Sequence, residues 1–338
     1  MIDLIARPAE PQLADAFHRA ITYLRISVTD RCNLRCVYCM PEEGLPWINK
    51  AEILSYEEIA EIVRAAAKVG VRSIRLTGGE PLIRKDLHHL VAMIAAIPGI
   101  DDIALSTNGL LLVEQAQQLR AAGLTRANIS LDTLRENRFE AIARRPGLQR
   151  VLDGIDAAFA AGLGPIKLNC VVMRGQNDDE VEAFAEMTRE RAVAVRFIEV
   201  MPVQENVEGH TSQYISATEI LDRIRAIGDL RPVDGPKGNG PARYYAFDGA
   251  AGSVGVISPL SHDYCDTCNR VRLSADGRLK LCLFGDHFID LRTPVRDHAG
   301  EDALIAILRG SMYVKPERHH LDVGTTASAM RALSEIGG

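Results

Sequence analysis

The stretch from Asp30 to Pro41, DRCNLRCVYCMP, places three cysteines within eight positions, directly after a run that is typical of a β-strand. The three are Cys32, Cys36 and Cys39, and no other cysteine or histidine lies close by in the sequence. Three thiolates leave a tetrahedral zinc site one ligand short. They suffice for a four-iron cluster that keeps one iron open for another ligand. A closed zinc site that borrows a distant residue is the alternative.

The bulk composition is that of an ordinary globular protein. The chain has 338 residues, of which 47% are hydrophobic and 25% charged, enough for one large α/β domain or two smaller ones. A net charge of −6 argues against nonspecific nucleic-acid binding. The apolar runs fall short of the ~20 residues that a membrane span needs, and the first residues lack a secretory signal pattern. We therefore expect a cytoplasmic protein, in whose reducing compartment clustered thiols more often bind metal.

Strand-like and helix-like patterns alternate up to about residue 202, which is typical of a parallel sheet with crossover helices. Helices are predicted to begin at Ser55, where Glu58 completes a capping box, at Asp86 and near Asp178. Six strand–helix units predict an incomplete barrel, and a doubly wound sheet competes because one sequence does not reveal strand order. The predicted strands are 22–28, 71–77, 102–106, 126–131, 165–172 and 194–200.

The pattern changes after residue 202, so we divide the chain into three segments. These are an N-terminal arm (1–20), the barrel-like part (21–202) and a smaller C-terminal domain (203–338). In the last segment, Asp276-Gly277 between two strand-like runs predicts a two-residue hairpin.

Polar or special residues recur at or near the ends of the predicted strands, where parallel barrels place their active sites. Gly78 and Gly79 mark a turn at which the backbone must approach a ligand closely, and an ordinary strand-to-helix turn is the alternative. The stretches are RLTGGEP (75–81), STNG (106–109), ISLDT (129–133), KLNC (167–170) and EVMP (199–202).

A second cysteine triad, Cys265, Cys268 and Cys282, has the spacing C-x2-C-x13-C. By itself it predicts a zinc knuckle completed by His262 or His287; beside the first triad, a second open cluster is favoured. Arg270 and Arg272 follow at once and alternate onto one face of a strand. Two guanidiniums there offer a fork for phosphate oxygens, although arginines on a strand usually lie on a solvated face.

The first triad, with Tyr38 before its third cysteine, resembles the signature of the radical S-adenosylmethionine (SAM) enzymes. With GGEP, the second triad, RVR and the Gly-Gly end, the chain from about Tyr23 onward resembles the GTP 3′,8-cyclases of molybdenum cofactor biosynthesis. The resemblance implies an incomplete (βα)6 TIM-type barrel, α/β in class, with a smaller C-terminal α+β domain closing its open side. It also implies conversion of GTP to (8S)-3′,8-cyclo-7,8-dihydroguanosine 5′-triphosphate: an adenosyl radical removes hydrogen from ribose C3′, and that carbon attacks guanine C8.

The resemblance also implies roles for individual residues. Two [4Fe–4S] clusters would bind to the two triads, the second cluster contacting guanine. SAM would contact Tyr38, Gly78, Gly79, Ser130 and Met201. GTP would contact Arg25, Arg75, Ser106, Lys167, Arg270, Val271 and Arg272. Catalysis would depend on Arg25, Lys167, Gly337 and Gly338.

Three further expectations concern residues outside these roles. Ser106 stands where the family commonly has threonine, so the hydroxyl is retained. Cys170 is expected to be a buried strand thiol, and His319-His320 to lie on the surface.

The implied partners are GTP, an electron donor such as flavodoxin or ferredoxin, and cyclic pyranopterin monophosphate synthase, which would take over the product. A homodimer is also expected, with no nucleic acid and no membrane as partner. Two alternatives stay open: another radical SAM enzyme with an auxiliary cluster, such as a peptide-modifying maturase, and a zinc-stabilised binding module.

Overall fold

The computed structural model describes residues 12–201, 210–285 and 287–320. Within these ranges, twelve strands form one mixed sheet. They are β1 (Tyr23–Ser27), β2 (Ser73–Thr77), β3 (Asp102–Thr107), β4 (Arg126–Ser130), β5 (Ile166–Val172), β6 (Val193–Glu199), β7 (Leu230–Val233), β8 (Arg243–Phe247), β9 (Ser253–Ile257), β10 (Arg270–Leu273), β11 (Arg278–Lys280) and β12 (Phe288–Asp290).

The described part of the chain has ten α-helices, of which eight lie between strands and two follow the last strand. They are α1 (Tyr56–Lys68), α2 (Leu87–Ala95), α3 (Leu112–Ala121), α4 (Glu136–Ala143), α5 (Leu148–Ala160), α6 (Val181–Glu190), α7 (His210–Gln213), α8 (Ala217–Arg225), α9 (Arg292–Arg296) and α10 (Glu301–Met312).

The strand order is β12-β11-β10-β1-β2-β3-β4-β5-β6-β9-β8-β7. The first six strands therefore stand side by side in chain order and pair in parallel, as a partial barrel requires and a doubly wound sheet does not. Strands from the C-terminal part extend both edges: β10 pairs in parallel with β1, and β9 with β6. The predicted fold class is confirmed, and the C-terminal part joins the barrel by adding strands to both edges of the same sheet.

Local sequence explains most element boundaries. Ser55 accepts a hydrogen bond from the Glu58 amide while the Glu58 carboxylate accepts one from the Ser55 amide, so the predicted capping box is present. The predicted strand at 71–77 begins at Ser73 because the Val71 amide still bonds Ala66 O at the end of α1. Near Asp178 a short 3₁₀ turn precedes α6.

The hairpin between β10 and β11 is present, but its loop is longer than the predicted two residues. The Gly277 amide donates to Ser274 O at 3.0 Å, which closes a turn that spans Ser274 to Gly277. Gly277 adopts φ +81°, a conformation that glycine takes at little cost.

Residues 12–20, which belong to the predicted N-terminal arm, contact the end of α1 and the hydrophobic core. Leu13 is 2% exposed, its amide donates to Val69 O at 2.7 Å, and Ala14 bridges Ala20. Apolar burial thus fixes this part of the segment; residues 1–11 lie outside the described part.

No helix in the described ranges is long and apolar enough to cross a bilayer.

Candidate active site

A deep pocket opens at the carboxyl ends of the parallel strands, as expected for a barrel of this type. Cys32, Cys36 and Cys39 all line it. The loop that carries them follows β1 and is tied to β3 by Asn108, whose side-chain amide donates to Asn33 Oδ1 at 2.7 Å. The three thiols of the first triad therefore face one space, as the sequence predicts.

Gly78 and Gly79 hold the cysteine loop from below. The Gly79 amide donates to Thr29 O at 2.8 Å. A Cβ at Gly79 would collide with the carbonyl of Arg31, and one at Gly78 with the carbonyl of Thr29. The glycines are thus required because two backbones pass too close for a side chain.

Glu80 joins the ends of β2 and β3 behind these glycines. Its buried carboxylate accepts hydrogen bonds from the Thr107 hydroxyl at 2.8 Å and from the Asn108 amide at 2.7 Å. Burial raises the pKa of Glu80 to about 7, against the opposing effect of these donors.

Tyr38 points across the pocket to the end of β4. Its hydroxyl donates to Asp132 Oδ2 at 2.7 Å, and Asp132 Oδ1 accepts from the Val171 amide at 2.9 Å. Burial raises the pKa of Asp132 to about 6, although both hydrogen bonds favour the carboxylate. Tyr38, the residue before the third cysteine, is therefore held in one orientation by Asp132, which lies in the quoted stretch ISLDT but was assigned no role of its own.

Three arginines form a row across adjacent strands. Arg25 on β1 is in register with Arg272 on β10 and with Arg75 on β2, and all three line the pocket. Neighbouring strands lie about 4.8 Å apart, so the guanidiniums share one small region. Burial and the neighbouring Arg272 hold the pKa of Arg25 well below its ordinary value. Such a concentration of buried positive charge needs an anion.

Tyr23 and Arg270 form a second row beneath the first. They are in register on β1 and β10, two residues before Arg25 and Arg272, and so lie on the same face. Burial alone would raise the pKa of Tyr23, but the guanidiniums of Arg75 and Arg25 outweigh it and lower that pKa to about 7. Within the described residues, Arg270 Nε is buried without a hydrogen-bond partner.

Two of the residues predicted to contact GTP lie outside the lining of the pocket among the described residues. Lys167 is 1% exposed, and its ammonium donates to Pro236 O at 3.1 Å and Lys237 O at 2.8 Å. Burial, then the positive charges of Arg196 and Arg126, lower the pKa of Lys167 to about 7. Val271 points into the hydrophobic core from the opposite face of β10.

Arg196 on β6 lines the pocket but escaped the sequence reasoning. It is 3% exposed, donates to Asn169 Oδ1 and, within the described residues, keeps Nε without a partner. A charged residue inside an otherwise apolar strand was the available signal. Glu199, in the quoted stretch EVMP at the end of β6, has a structural role that the sequence did not predict. Its carboxylate accepts hydrogen bonds from the amides of Leu260 and Ser261.

The remaining predicted contacts lie where the strand ends predict. Ser106, Ser130 and Met201 line the pocket, and Ser106 Oγ accepts from Arg75 Nη1 at 3.3 Å. Cys170 is a buried strand thiol, as expected, within 3.7 Å of Asp132 O. Gly337 and Gly338 lie outside the described residues.

The second triad sits behind one wall of the pocket. Cys265 and Cys268 flank a single 3₁₀ turn, and Cys282 follows β11. Their neighbours Tyr264 and Leu283 line the pocket. Cys268 has a lowered pKa because, although burial opposes it, the charges of Lys315 and Arg270 favour the thiolate. His262, one candidate fourth zinc ligand, is exposed and its ring bonds Ser261 Oγ at 3.2 Å.

The thiols fit iron–sulfur clusters. None of the six forms a disulfide within the described residues, and within each triad the sulfurs lie close enough to interact electrostatically. In the described ranges no three acidic, cysteine or histidine side chains are gathered tightly enough to hold one metal ion. Wider spacing is compatible with a four-iron cluster, in which each thiolate binds a different iron.

Comparison with known protein families matches the chain in two parts. Residues 26–188 match the Radical SAM superfamily, and residues 193–321 match the family described as Molybdenum Cofactor Synthesis C. The first part holds the first triad and the GGEP turn, and the second part holds the second triad.

Curated relatives match over nearly the whole length. A protein named GTP 3′,8-cyclase from Pelotomaculum thermopropionicum is 50% identical over 327 residues, 96% of this chain and 100% of the relative. Proteins of the same name from Geobacter sulfurreducens and Listeria monocytogenes are 50% and 43% identical, covering 97% and 96% of this chain and 100% and 99% of the relatives.

Solved structures show the same fold at low identity. The crystal structure of Streptococcus suis SuiB bound to precursor peptide SuiA matches with a TM-score of 0.56 and 15% identity, covering 87% of this chain and 68% of that one. At this identity the match supports the architecture alone.

Proposed function

The chain belongs to the GTP 3′,8-cyclase family of radical SAM enzymes, and we propose that it converts GTP to (8S)-3′,8-cyclo-7,8-dihydroguanosine 5′-triphosphate, the first step of molybdenum cofactor biosynthesis. One observation supports this most: the row of Arg272, Arg25 and Arg75 opens into the pocket that the first triad lines. A polyanionic substrate and a cluster-bound cofactor thus share one space.

The arginines would bind the triphosphate. Each charge-assisted hydrogen bond contributes ~1.5–3 kcal/mol, and guanidiniums match phosphate oxygens in a fork geometry. Because the rows lie on strands of the sheet, the side chains are positioned before substrate arrives. Arg270 and Arg196, each with a buried Nε unpaired within the described residues, offer further donors to the same ligand.

The first triad would hold a [4Fe–4S] cluster whose open iron binds SAM. The chemistry that this cluster and SAM supply when bound is a hydrogen-abstracting carbon radical. Tyr38, Gly78, Gly79, Ser130 and Met201 surround the same part of the pocket and would orient SAM. The Asp132 carboxylate contributes by holding Tyr38 still.

The second triad would hold another [4Fe–4S] cluster near the guanine. Strand β10 begins two residues after Cys268 and carries Arg270, Val271 and Arg272 beside β1. One short segment would therefore hold both the base and the phosphates. The boundary at 202/203 between the two domains stays a prediction.

Lys167 and the Gly337-Gly338 end are also proposed to take part in catalysis, and neither is among the described residues that line the pocket. Lys167 would reach the phosphates only if its ammonium exchanged the carbonyls of Pro236 and Lys237 for the substrate. Gly337 and Gly338 would enter the pocket as a thin strand without side chains. Deleting both glycines should preserve iron content and strongly reduce cyclisation; full activity would show that the tail is not used.

The proposed partners follow from the reaction. A one-electron donor such as flavodoxin or ferredoxin would reduce the clusters, and cyclic pyranopterin monophosphate synthase would take over the product. Association into a homodimer is part of the same proposal.

Anaerobic reconstitution tests the function. Protein loaded with iron and sulfide is incubated with SAM, reductant and GTP, and with ATP as the matched control. We expect cyclised GTP together with 5′-deoxyadenosine, and no cyclised ATP. Zinc without iron would support the binding module, and deoxyadenosine formation that depends on a peptide rather than GTP would support a maturase.

A further inference from the structure

A short strap crosses the second cysteine triad from the end of α10. It comprises Lys315 to His319, sequence KPERH. We propose that this strap positions the second cluster, and that the Lys315 ammonium serves as its buried counter-charge. The inference rests on the proposed binding of a cluster by Cys265, Cys268 and Cys282.

Lys315 lies at the centre of these contacts. It is 3% exposed, and its ammonium donates to Cys268 Sγ at 3.6 Å, to Arg270 O at 3.2 Å and to Leu281 O. Leu281 immediately precedes Cys282, and Arg270 stands two residues after Cys268. One side chain thus joins both loops that bear the cysteines.

The positive charge of Lys315 is buried together with these partners. Over the ranges that the structure describes, no carboxylate forms an ion pair with Lys315; its partners are one sulfur and two carbonyls. Burying a cation without an anion is costly. Three thiolates on an iron–sulfur cluster supply the missing negative charge.

The other end of the strap touches the triad through its backbone. The His319 amide bonds the Cys265 thiol, and the His319 ring packs on Phe284 with 4.7 Å between centroids. His319, expected at the surface, is half-buried. Donors from Lys315 and His319 therefore reach two of the three sulfurs, and hydrogen bonds to ligand sulfurs tune cluster potentials.

Arg19 clamps the middle of the strap. Its guanidinium donates to Pro316 O at 2.7 Å, to Glu317 O at 2.6 Å and to Cys265 O at 2.8 Å. Asp15, whose side chain is fully buried, accepts a hydrogen bond from Arg19 Nε at 2.6 Å and so fixes the orientation of the guanidinium. The segment that we predicted to be an arm thus braces the second triad.

The test measures the second cluster by itself. In the full chain with Cys32, Cys36 and Cys39 replaced by alanine, only the second triad can hold a cluster. Lys315→Met and Lys315→Gln are compared there with Arg19→Lys, and Lys85→Met, whose side chain is 92% exposed, is the matched control. The readouts are the midpoint potential by electron paramagnetic resonance and the rate of iron loss to a chelator.

We expect both Lys315 variants to shift the midpoint potential to more negative values, because a positive charge beside the cluster favours the reduced state. Iron loss should accelerate by about 10- to 100-fold, the usual cost of losing a partner of a metal ligand. Arg19→Lys should accelerate iron loss while leaving the potential near that of the parent, since the ammonium of Lys315 remains. Lys85→Met should change neither.

Unchanged potential and iron loss in both Lys315 variants would overturn the inference alone. A parent chain that binds no iron would overturn the second-cluster assignment and, with it, this inference. If Lys315→Met retains no iron, circular dichroism matching that of the parent assigns the loss to the site, and Arg19→Lys still decides the role of the clamp.

Discussion

The two cysteine triads each contribute three thiols, but the charged groups nearest to the thiols differ between them. Burial, reinforced by the charge of Asp132, raises the pKa of Cys36, and burial raises that of Cys32 to about 11. In the second triad, burial raises the pKa of Cys265 as well, but Lys315 and Arg270 outweigh burial and lower the pKa of Cys268. The first triad thus lies beside carboxyl groups at the pocket surface, and the second lies among cations behind its wall.

The two sites also hold their loops by different means. Close backbone approach at Gly78 and Gly79 fixes the first loop, whereas side-chain cations tie the second to distant parts of the chain. The same arrangement of three cysteines is therefore held in place by local backbone packing at one site and by long-range polar contacts at the other. Substitutions should therefore separate the two sites.

The largest expected effect comes from removing one ligand at each site. Cys36→Ser should abolish SAM cleavage and leave the second site loaded. Cys268→Ser should lose about half of the iron, since each triad would carry one four-iron cluster, and should stop cyclisation. Iron analysis and deoxyadenosine assays check both.

Cys170→Ser is the control for these variants, because that thiol lies outside both triads and its contact with Asp132 O also suits a hydroxyl. Full iron content in Cys268→Ser would break the assignment of the second triad.

The next effect tests backbone packing under the first loop. The added methyl of Gly79→Ala must displace the Arg31 carbonyl, which moves the cysteine loop. We expect SAM cleavage to fall by roughly 10- to 100-fold, with the second cluster retained. Gly310→Ala, a helical position with nothing within 4 Å of the new Cβ, is the control. Equal losses at both clusters would point to a general folding defect.

The next effect is on substrate affinity and concerns the arginine row beside both triads. Arg272→Ala removes one charge-assisted contact worth ~1.5–3 kcal/mol, so GTP affinity should fall roughly 10- to 100-fold. SAM affinity should stay near that of the wild type. Isothermal titration measures both, with Arg278→Ala in the same hairpin as the control, since Arg278 pairs with Asp276 in a partly exposed position. A matching loss of SAM affinity would contradict the separate roles.

The last effect is on stability rather than on binding, and it concerns Lys167, whose ammonium is covered by carbonyls instead of facing the pocket. Its pKa falls from 10.5 to about 7 on folding. Between these values the unfolded chain binds one more proton, so the free energy of unfolding rises with pH by up to ~1.4 kcal/mol per unit. This contribution of Lys167 to the free energy of unfolding is absent below pH 7 and complete above the pKa of lysine in the unfolded chain.

Lys167→Met should remove this rise. Pulse proteolysis in urea from pH 7 to 10 compares the two proteins. Identical pH dependence would show that Lys167 keeps an ordinary pKa in the folded chain.

Local sequence patterns were sufficient to predict the six barrel strands, the capping box at Ser55 and both triads, because each depends on residues near one another in the chain. They could not show that β10 lies beside β1. That strand pairing places Arg25 and Arg272 side by side.

The sequence also could not show which strand residues face the pocket and which are covered by a distant loop. Lys167 and Arg196 both occupy strand positions, yet only Arg196 lines the described pocket, because a loop more than 60 residues away in sequence covers Lys167. The contacts of Arg19 with residues 316 and 317 span nearly the whole chain and leave no local pattern.

The central claim is that both triads and the arginine row act on one GTP molecule in one pocket. GTP carrying deuterium at ribose C3′ tests it most directly, with reconstituted protein, SAM and reductant, by mass spectrometry of the 5′-deoxyadenosine. The account predicts that deoxyadenosine gains the deuterium and that cyclised GTP loses it in equal amount. Deoxyadenosine without deuterium, formed at an undiminished rate, would contradict it.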